Sequence, residues 1–467
     1  MNAFAAEIER VRRIVSPARV GTVLDVTGLT VRVAGLSVPI GSVCAIARAE
    51  GGVVTAQVVG FHGHQTLCMP LSDTLGIARG DVVTALPDEA RVGVCDELVG
   101  RALDGLGRVI DGGPPIHPVA SYPLYRPAPP ALDRPRVAEP IATGIRAIDA
   151  MMTVGRGQRV GLFAGTGVGK SVLIGMIARH TDADVCVVGL VGERGREVND
   201  FIAKDLGPQG RRKTVLVVST SDESPVLRVR AGFLATTVAE YFRDRGKNVL
   251  LLMDSVTRLA MAQRQIGLAA GEPPTTKGYT PSVFAMLPQL LERAGRTNEG
   301  SITGVYNVLV EGDDINDPIG DAVRGTIDGH VWLSRALAGE AHYPAISVTD
   351  SISRLMVDIA DTEHRQAART VQRVLATWNQ IEDLVNIGAY VPGSNPEFDT
   401  VIHTRSAVRE FLRQDIDQQA TFDESRGRLI ELAGQIEQTR RQREAVRDKA
   451  AAVSASVAQN APQKRTR

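Results

Sequence analysis

The chain has 467 residues, more than one ordinary hydrophobic core holds, so its length predicts two to four domains. Hydrophobic residues make up 43% and charged residues 23%, as in soluble globular proteins, and 53 basic residues balance 53 acidic ones. This balance gives no support for a general attraction to nucleic acid or membranes, and an aromatic content of 4% leaves few rings for stacking on bases.

The first segment repeats apolar residues at helical spacing, and Pro17 ends the predicted helix. The repeated residues are Phe4, Ile8, Val11 and Val15. Such a stripe either packs on the body of this chain or docks a partner helix, and the spacing does not choose between them. Charged residues in this segment exclude the apolar core of a signal peptide, and no apolar run of the sequence is long enough to span a bilayer.

From Val20 to about Val94, short runs of alternating apolar and polar residues are separated by glycines, which predicts a small antiparallel barrel or sandwich. Acidic residues slightly outnumber basic ones here, and Phe61 is the only aromatic residue, so we interpret the segment as a structural or oligomer-forming module. His62 and His64 have no third metal ligand nearby in the sequence, and a glycine-containing surface loop is the favoured interpretation.

The four cysteines of the chain form no CxxC pair, which argues against a zinc site or a disulfide scaffold and fits a reducing cytoplasm. A proline-rich stretch from Asp111 to Pro135 is predicted to be an extended linker. Beyond it, continuous apolar runs alternate with helical patterns, which is typical of a parallel sheet covered on both faces. The predicted strands are Arg159–Phe163, Asp184–Leu190, Thr214–Val218, Asn248–Met253 and Ser301–Val310.

After about Arg354 the pattern is mainly helical, with helices predicted over Ile359–Leu384 and Thr404–Gln414. The segment Gln435–Arg467 is polar, rich in Ala, Gln and Arg, and free of aromatic residues. We expect a fraying helix there, followed by disorder.

A glycine-rich loop follows the first strand of the predicted sheet and opens a helix. Its residues are Ala164, Gly165, Thr166, Gly167, Val168, Gly169, Lys170 and Ser171, followed by Val172. Glycines allow backbone N–H groups to surround phosphates, Lys170 can neutralise phosphate oxygens, and the Ser171 hydroxyl can ligate Mg²⁺. Ala164 replaces the first glycine of the usual GxxxxGK[ST] pattern. The loop predicts that the chain binds and hydrolyses Mg·ATP.

Asp254 ends the apolar run that begins at Asn248. A carboxylate at a strand end beside a phosphate loop is where P-loop ATPases hold Mg²⁺, often through water. A helix-capping aspartate before Ser255 is the alternative, and the phosphate loop favours the metal role.

Glu193 follows another predicted strand and can orient and polarise the water that attacks the γ-phosphate. Its neighbour Arg194 can hold phosphate oxygens. A salt-bridged surface turn is the alternative, and spacing alone leaves the two open.

Two residues further along the chain complete the candidate site. Tyr343 can stack on adenine, and Arg354 can act as an arginine finger that stabilises the charge of the transferring phosphoryl group. The sequence does not show whether Arg354 serves its own site or that of a neighbouring subunit.

Together, these residues resemble the rotary-type ATPases of the ATP synthase catalytic-subunit superfamily, and within it the type III secretion ATPases. The resemblance extends from about Arg19 to Gln414. The runs that carry it are Arg101–Arg108, Glu139–Ile145, Ala164–Ser171, Gly192–Glu197, Asp254–Arg258, Gly267–Ser282, Val310–Asp314, Gly388–Tyr390, Gly393–Ser394 and Asp399.

The resemblance implies an α/β fold: a RecA-like P-loop nucleotide domain with an N-terminal six-stranded β-barrel and a C-terminal helical domain, assembled as a homohexameric ring. It implies that Glu193 activates water, that Arg354 reaches into the neighbouring subunit's site, and that Tyr343 packs on adenine. Alanine is common in the secretion branch at the place of Ala164, whereas Ser347 departs from the family's Pro-Ala-Ile-Asp signature. The implied segments are a regulator-binding helix (1–19), the barrel (20–95), the nucleotide domain (96–355), the helical domain (356–434) and a disordered tail (435–467).

The resemblance also implies ATP and Mg²⁺ as ligands and protein partners at the cytoplasmic face of the inner membrane. These partners are a stator-like regulator at the N-terminal helix, a central stalk-like protein at the C-terminal domain, and the export gate with its chaperones and secreted substrates. No nucleic acid is implied, and membrane association is only through the export apparatus. Gly325 follows Arg324 where injectisome members often have serine, which favours flagellar export over a virulence injectisome.

Two other functions are compatible with a phosphate loop. A non-catalytic ring subunit would bind ATP without hydrolysing it, but such subunits lack a carboxylate at the place of Glu193. An RNA-translocating hexamer would require basic and aromatic residues interleaved in the barrel, and this barrel lacks them.

Overall fold

The computed structural model describes residues 19–86, 91–310, 312, 314 and 317–459. The predicted N-terminal helix with its stripe of Phe4, Ile8, Val11 and Val15 lies outside the described residues, as do residues 460–467. None of the helices that the structure describes combines the length and the apolar composition needed to cross a membrane.

The N-terminal domain is a closed antiparallel barrel of six strands, which confirms the six-stranded barrel. Its strands are β1 (Val20–Thr27), β2 (Thr30–Ala34), β3 (Val43–Ala47), β4 (Val53–His62), β5 (Gln65–Pro70) and β6 (Val82–Ala85), in spatial order β1-β2-β5-β4-β3-β6. Alternate side chains fill the interior, as Val31 and Val33 show by being fully buried. His62 and His64 lie on either side of the turn between β4 and β5.

Three short strands connect the barrel to the next domain: β7 (Arg91–Val94), β8 (Ala102–Leu103) and β9 (Ala120–Pro123). β9 pairs with β7, and the following Leu124 is fully buried. The prediction of an extended linker over Asp111–Pro135 is therefore wrong for this part. Proline does not prevent the pairing, because Pro123 ends a strand that has only one neighbour.

The central domain is built on a nine-stranded sheet that includes β8. Its other strands are β10 (Arg159–Ala164), β11 (Val185–Glu193), β12 (Thr214–Thr220), β13 (Asn248–Asp254), β14 (Gly295–Arg296), β15 (Ser301–Leu309), β16 (Gly329–Leu333) and β17 (Ile346–Ser353). The order is β17-β16-β10-β15-β13-β11-β12-β8, with β14 on β15; β14 and β17 are antiparallel to their neighbours, and all other pairs are parallel. The five predicted strands are present, whereas β16 and β17 were not predicted from the sequence.

Helices cover both faces of this sheet. They are α1 (Arg146–Met151), α2 (Lys170–His180), α3 (Gly195–Asp200), α4 (Gly207–Arg211), α5 (Pro225–Arg243), α6 (Val256–Ala269), α7 (Pro281–Leu291), α8 (Pro318–Thr326) and α9 (Arg335–Gly339), with a π-helical turn at Phe201–Leu206. Successive residues of one strand enter different cores: Leu162 packs in one hydrophobic cluster and Phe163 in the other. This two-sided burial explains why the strands are continuous apolar runs in the sequence.

The C-terminal domain contains α10 (Met356–Ile359), α11 (Thr362–Asn386), α12 (Pro396–Leu412) and α13 (Phe422–Gln459). α12 begins eight residues before the predicted start because the Asn395 side chain accepts hydrogen bonds from the first turn and Pro396 occupies the first helical position. The predicted disorder from Gln435 onward is wrong as far as the structure describes the chain. α13 continues through this point because Ile436, which is 3% exposed, packs in the same core as Leu429.

A buried ion pair in the nucleotide domain provides a test of its stability. Arg293 Nη2 lies 2.7 Å from Glu240 Oε2, with side chains 1% and 0% exposed, and the same guanidinium donates to the Leu124 carbonyl and the Thr237 hydroxyl. Glu240→Gln leaves the Arg293 charge buried without a counter-charge, and we expect it to cost about 3–5 kcal/mol of stability, measured by chemical denaturation followed by circular dichroism. Glu437→Gln removes the half-exposed partner of Arg440 and should cost at most about 1 kcal/mol. Equal losses in the two variants would contradict this assignment.

Candidate active site

The glycine-rich loop lies between the end of β10 and the start of α2. Gly167 and Gly169 have φ values of 81° and 90°, in the left-handed region that other residues rarely adopt, so these two positions require glycine. Ala164 is the last residue of β10, fully buried, and its carbonyl accepts a hydrogen bond from Val310 N at 3.0 Å. A strand residue needs no positive φ, which explains why alanine is tolerated at the position of the first glycine.

The N-terminus of α2 is open to an anion. Its N-cap, Gly169, offers no side-chain acceptor, and the first turn contains no acidic residue. The free N–H groups and the positive end of the helix dipole therefore point toward the loop. Thr166, Gly167 and Ser171 are exposed around this opening, whereas Gly165 and Val168 are buried beneath it.

Lys170 and Asp254 are in direct contact at the edge of the sheet. Lys170 Nζ lies 2.9 Å from Asp254 Oδ1, and Asn307 Nδ2 donates to the same oxygen at 2.5 Å. Asp254 is 2% exposed at the end of β13. The hydroxyl of Ser255 accepts the capping hydrogen bond from Arg258 N, so it is Ser255 that caps α6. The alternative of Asp254 as the helix cap therefore has no support in the geometry.

Glu193 is brought to the same cluster because β11 and β13 are parallel neighbours that end at the same edge. Its Oε2 lies 2.8 Å from Arg258 Nη1, and its Oε1 lies 3.7 Å from Lys170 Nζ. Oε1 is buried and has no hydrogen-bond partner among the described residues. Burial, followed by the charge of Asp254, raises the pKa of Glu193 to about 7. This carboxylate is thus held by a cation on one side with one oxygen left to accept a proton or a water hydrogen.

Arg194, the neighbour of Glu193, is not brought into this cluster. Its side chain is 77% exposed and lies 3.4 Å from Glu197 in the first turn of α3. The assignment of Arg194 to phosphate binding stays a prediction that nothing in this geometry supports.

Two members of the cluster, Arg258 and Asn307, were given no role from the sequence. Arg258 pairs with Glu193 and also donates to the Gly192 carbonyl at 2.5 Å. The run Asp254–Arg258 was noted as a motif, which was a signal for Arg258. Asn307 lies inside the apolar strand β15, where a buried amide was the only signal.

Ser171 and Asp254 provide the hard oxygen atoms that Mg²⁺ prefers. The described residues contain no group of three or more His, Cys, Asp or Glu side chains placed to hold a metal ion. Phosphate oxygens and water would therefore have to complete the six positions of Mg²⁺, as is usual for this ion. The donor set fits a metal that arrives with a nucleotide.

A cavity of about 510 Å³ lies next to the loop. Tyr343 forms one wall: its ring is 46% exposed, and its Cε1 atom lies 3.6 Å from where a Cβ on Gly169 would be. Gly167, Val168 and Val172 form another wall, and Gln414 a third. An apolar slot with a half-exposed aromatic ring beside a phosphate-binding loop suits a purine base.

Arg354 lies at the opposite edge of the sheet from the loop. Its N–H donates to the Asp328 carbonyl, and Asp328 N–H donates to the carbonyl of Arg159, the first residue of β10. The loop begins after Ala164, five residues further along β10, which at 3.3 Å per residue is roughly 16 Å away. This distance exceeds the length of an arginine side chain. The exposed Arg354 therefore cannot complete the site of its own chain.

Known protein families match three parts of this sequence. The sequence model of the ATP synthase alpha/beta family, nucleotide-binding domain, matches residues 144–353, and that of the beta-barrel domain of the same family matches residues 20–87. The model of the T3SS EscN ATPase C-terminal domain matches residues 360–431. The last helix, α13, continues to Gln459, beyond the end of that match.

The chain is similar over most of its length to curated and structurally solved proteins. It is 48% identical to the flagellum-specific ATP synthase of Bacillus subtilis (strain 168), covering 90% of this chain and 96% of that protein. It is 47% identical to the type 3 secretion system ATPase of Xanthomonas euvesicatoria, covering 87% and 92%. The structure of the assembled ATPase EscN from enteropathogenic E. coli superposes with a TM-score of 0.84 at 42% identity, covering 88% of this chain and 100% of that one. A second structure, of EscN in complex with its central stalk EscO, has a TM-score of 0.82 at 41% identity and the same coverage.

Proposed function

Because this chain belongs to the ATP synthase alpha/beta family, and within it to the type III secretion ATPases, we propose that it hydrolyses Mg·ATP in a homohexameric ring to energise type III protein export. The observation that carries the proposal is the meeting of Lys170, Glu193 and Asp254 at one edge of the sheet, next to an open helix N-terminus. In export, the ring would release chaperones and unfold secreted substrates at the export gate.

Each residue of the cluster has a separate role in the proposed reaction. The N–H groups of the loop and Lys170 bind the β- and γ-phosphates and stabilise the charge that develops on them. Ser171 and Asp254 would hold Mg²⁺, which supplies neutralisation of the phosphate oxygens. Glu193, held by Arg258, orients the attacking water and accepts hydrogen bonding from it through its free oxygen. Tyr343 packs on the adenine.

The ring follows from the position of Arg354. An exposed arginine roughly 16 Å from its own loop can stabilise phosphoryl transfer only in a neighbouring copy. A head-to-tail contact that repeats in this way closes a ring when its rotation divides a full turn. The similarity to an assembled EscN supports this arrangement.

We propose flagellar export as the cellular role, with the partners that this role requires. Gly325 supports it, as do the flagellum-specific relatives at 48% identity. The proposed partners are a stator-like regulator at the N-terminal helix, a central stalk-like protein at the C-terminal domain, and the export gate with its chaperones and substrates. The ring would then work in the cytoplasm at the inner face of the membrane, attached to it only through the export apparatus.

A chromosomal Lys170→Ala substitution in the source bacterium tests the proposal. We expect loss of flagellar filaments and of swimming, because binding of the phosphates is lost while assembly of the chain is not. Lys204→Ala is the matched control, since that lysine is 73% exposed and pairs only with Asp200. Loss of secreted virulence proteins with normal filaments would instead assign the chain to an injectisome. ATP hydrolysis by the purified protein that strictly requires RNA would overturn the export function altogether.

A further inference from the structure

α13 carries an apolar seam that continues past the domain it helps to build. Inside the domain the seam consists of Leu429, Leu432 and Ile436, which are 0%, 6% and 3% exposed and pack in a core shared with residues of α11 and α12. Their spacing of three and then four residues is that of the a and d positions of a heptad repeat. This part of the seam is accounted for by the packing of the domain.

The same spacing continues beyond the domain, at Thr439, Arg443 and Val446. Thr439 and Arg443 are half-buried, and Val446 is 64% exposed. The sequence then has Ala450, Val453 and Val457 at the next three positions of the repeat, and the helix continues to Gln459. From Ile436 to Gln459 the helix extends roughly 35 Å at 1.5 Å per residue. We call the stretch Thr439–Gln459 the distal seam.

The positions that flank the distal seam are basic. In heptad terms, Arg440 and Arg447 are e positions and Lys449 is a g position. Arg440 is paired within the helix with Glu437 and Glu444, and Arg447 with Asp448. Residues 437–449 contain five basic and three acidic residues, although the whole chain has no net charge. Charges at e and g decide which helix a coiled-coil seam accepts.

These charges exclude the occupants that this chain could itself provide. In a second copy of α13, the same basic flanks would face each other. The N-terminal stripe is also flanked by more basic than acidic residues. A membrane surface is disfavoured because the seam contains Thr439 and Arg443, and residues 437–459 contain no Leu and no aromatic residue to insert into lipid.

We propose that the distal seam of α13 is a docking surface for a helix of another protein, one whose own a/d seam is flanked by Glu or Asp at e and g. The apolar positions, from Val446 onward, supply the contact, and the flanking arginines and Lys449 select the acidic partner. Arg443 at an a position fixes the register, because an isolated polar residue in a seam tolerates few alignments. This surface lies beyond the matched C-terminal domain and does not depend on the export function.

The test uses the full-length protein and a fluorescein-labelled synthetic peptide of about four heptads, with Ile at a, Leu at d and Glu at e and g. Acidic flanks keep the peptide from pairing with itself. A second peptide with Lys at e and g has the same apolar seam. By fluorescence anisotropy, we expect the acidic peptide to bind at least about tenfold more tightly than the basic one, and its affinity to fall with added salt.

Val446→Asp should weaken binding of the acidic peptide by about tenfold or more, because it places a charge in the seam. Ala445→Asp is the matched control: it introduces the same residue at the exposed neighbouring position, outside the seam, and should leave the affinity unchanged. Both sites are on an exposed helix surface, so both variants should keep normal ATP hydrolysis.

Three results would overturn the proposal: equal effects of the two substitutions, no preference for the acidic peptide, or no binding of either peptide. Binding to vesicles of phosphatidylcholine and phosphatidylglycerol that Val446→Asp abolishes would assign the seam to a membrane instead. Association between rings that Val446→Asp abolishes, measured by sedimentation velocity, would assign it to a second copy.

Discussion

Glu193→Gln is expected to keep ATP binding and to lose turnover by about 10²–10⁴-fold, the usual contribution of a positioned general base. Glutamine keeps the size of the side chain but cannot accept a proton, and its neutral amide no longer pairs with Arg258, 2.8 Å away in the wild type. The phosphate loop and Lys170 are unchanged, so the affinity for ATP should stay within a few-fold. Steady-state hydrolysis and equilibrium binding of a fluorescent ATP analogue measure the two effects separately.

Glu197→Gln is the matched control for this substitution. Glu197 lies four residues further along the chain, and its carboxylate contacts the exposed Arg194 at the start of α3. An ordinary surface pair contributes at most about 1 kcal/mol, so this variant should retain nearly full turnover and a normal unfolding midpoint. Unchanged turnover in Glu193→Gln would remove the role assigned to that carboxylate. Equal loss in both variants would indicate instead that the turn after β11 tolerates no substitution.

The local parts of the site are those that the sequence predicts well. The loop Ala164–Ser171 is continuous, so its glycines and lysine are recognisable together, and Glu193 and Asp254 each end an apolar run. Parallel strands end at the same edge of a sheet, so the two carboxylates were expected near the loop once both runs were identified as strands. The structure adds the distances and the partners of each group.

The parts that sequence could not predict depend on the order and direction of strands. Asn307 reaches Asp254 because β15 lies between β10 and β13, an order that no local pattern encodes. Arg258 reaches Glu193 across the turn between β13 and α6, which requires the same information. β17 was not predicted, because Thr349 and Asp350 interrupt its apolar pattern, and the place of Arg354 depends on this strand running antiparallel.

The C-terminal helix shows a different limit. Composition predicted disorder from Gln435 because the segment is polar and lacks aromatic residues. A seam with one apolar residue every three or four positions adds little to an average over composition, yet it is enough to dock Leu432 and Ile436 on the domain. Position in the repeat, rather than the amount of apolar residue, decides whether such a helix forms.

The position of Arg354 leads to the second large effect. Arg354→Ala should lower turnover by about 10³-fold or more, the usual contribution of an arginine finger. Its backbone hydrogen bond to the Asp328 carbonyl is kept, and its side chain is exposed, so the fold should not change. Lys170→Ala should also be inactive, because it removes the cation from the phosphate loop.

Mixed rings distinguish a finger that acts within its own chain from one that acts on a neighbour. In a ring formed from equal amounts of the two inactive variants, a site is intact when an Arg354→Ala chain supplies the loop and an adjacent Lys170→Ala chain supplies the arginine. Random mixing makes about a quarter of the sites intact in a head-to-tail ring, so hydrolysis should recover to about that fraction of wild type. Two affinity tags, purified in succession, verify that both variants are present. No recovery in verified mixed rings would contradict a shared site, since an arginine acting on its own loop would leave every site with one missing group.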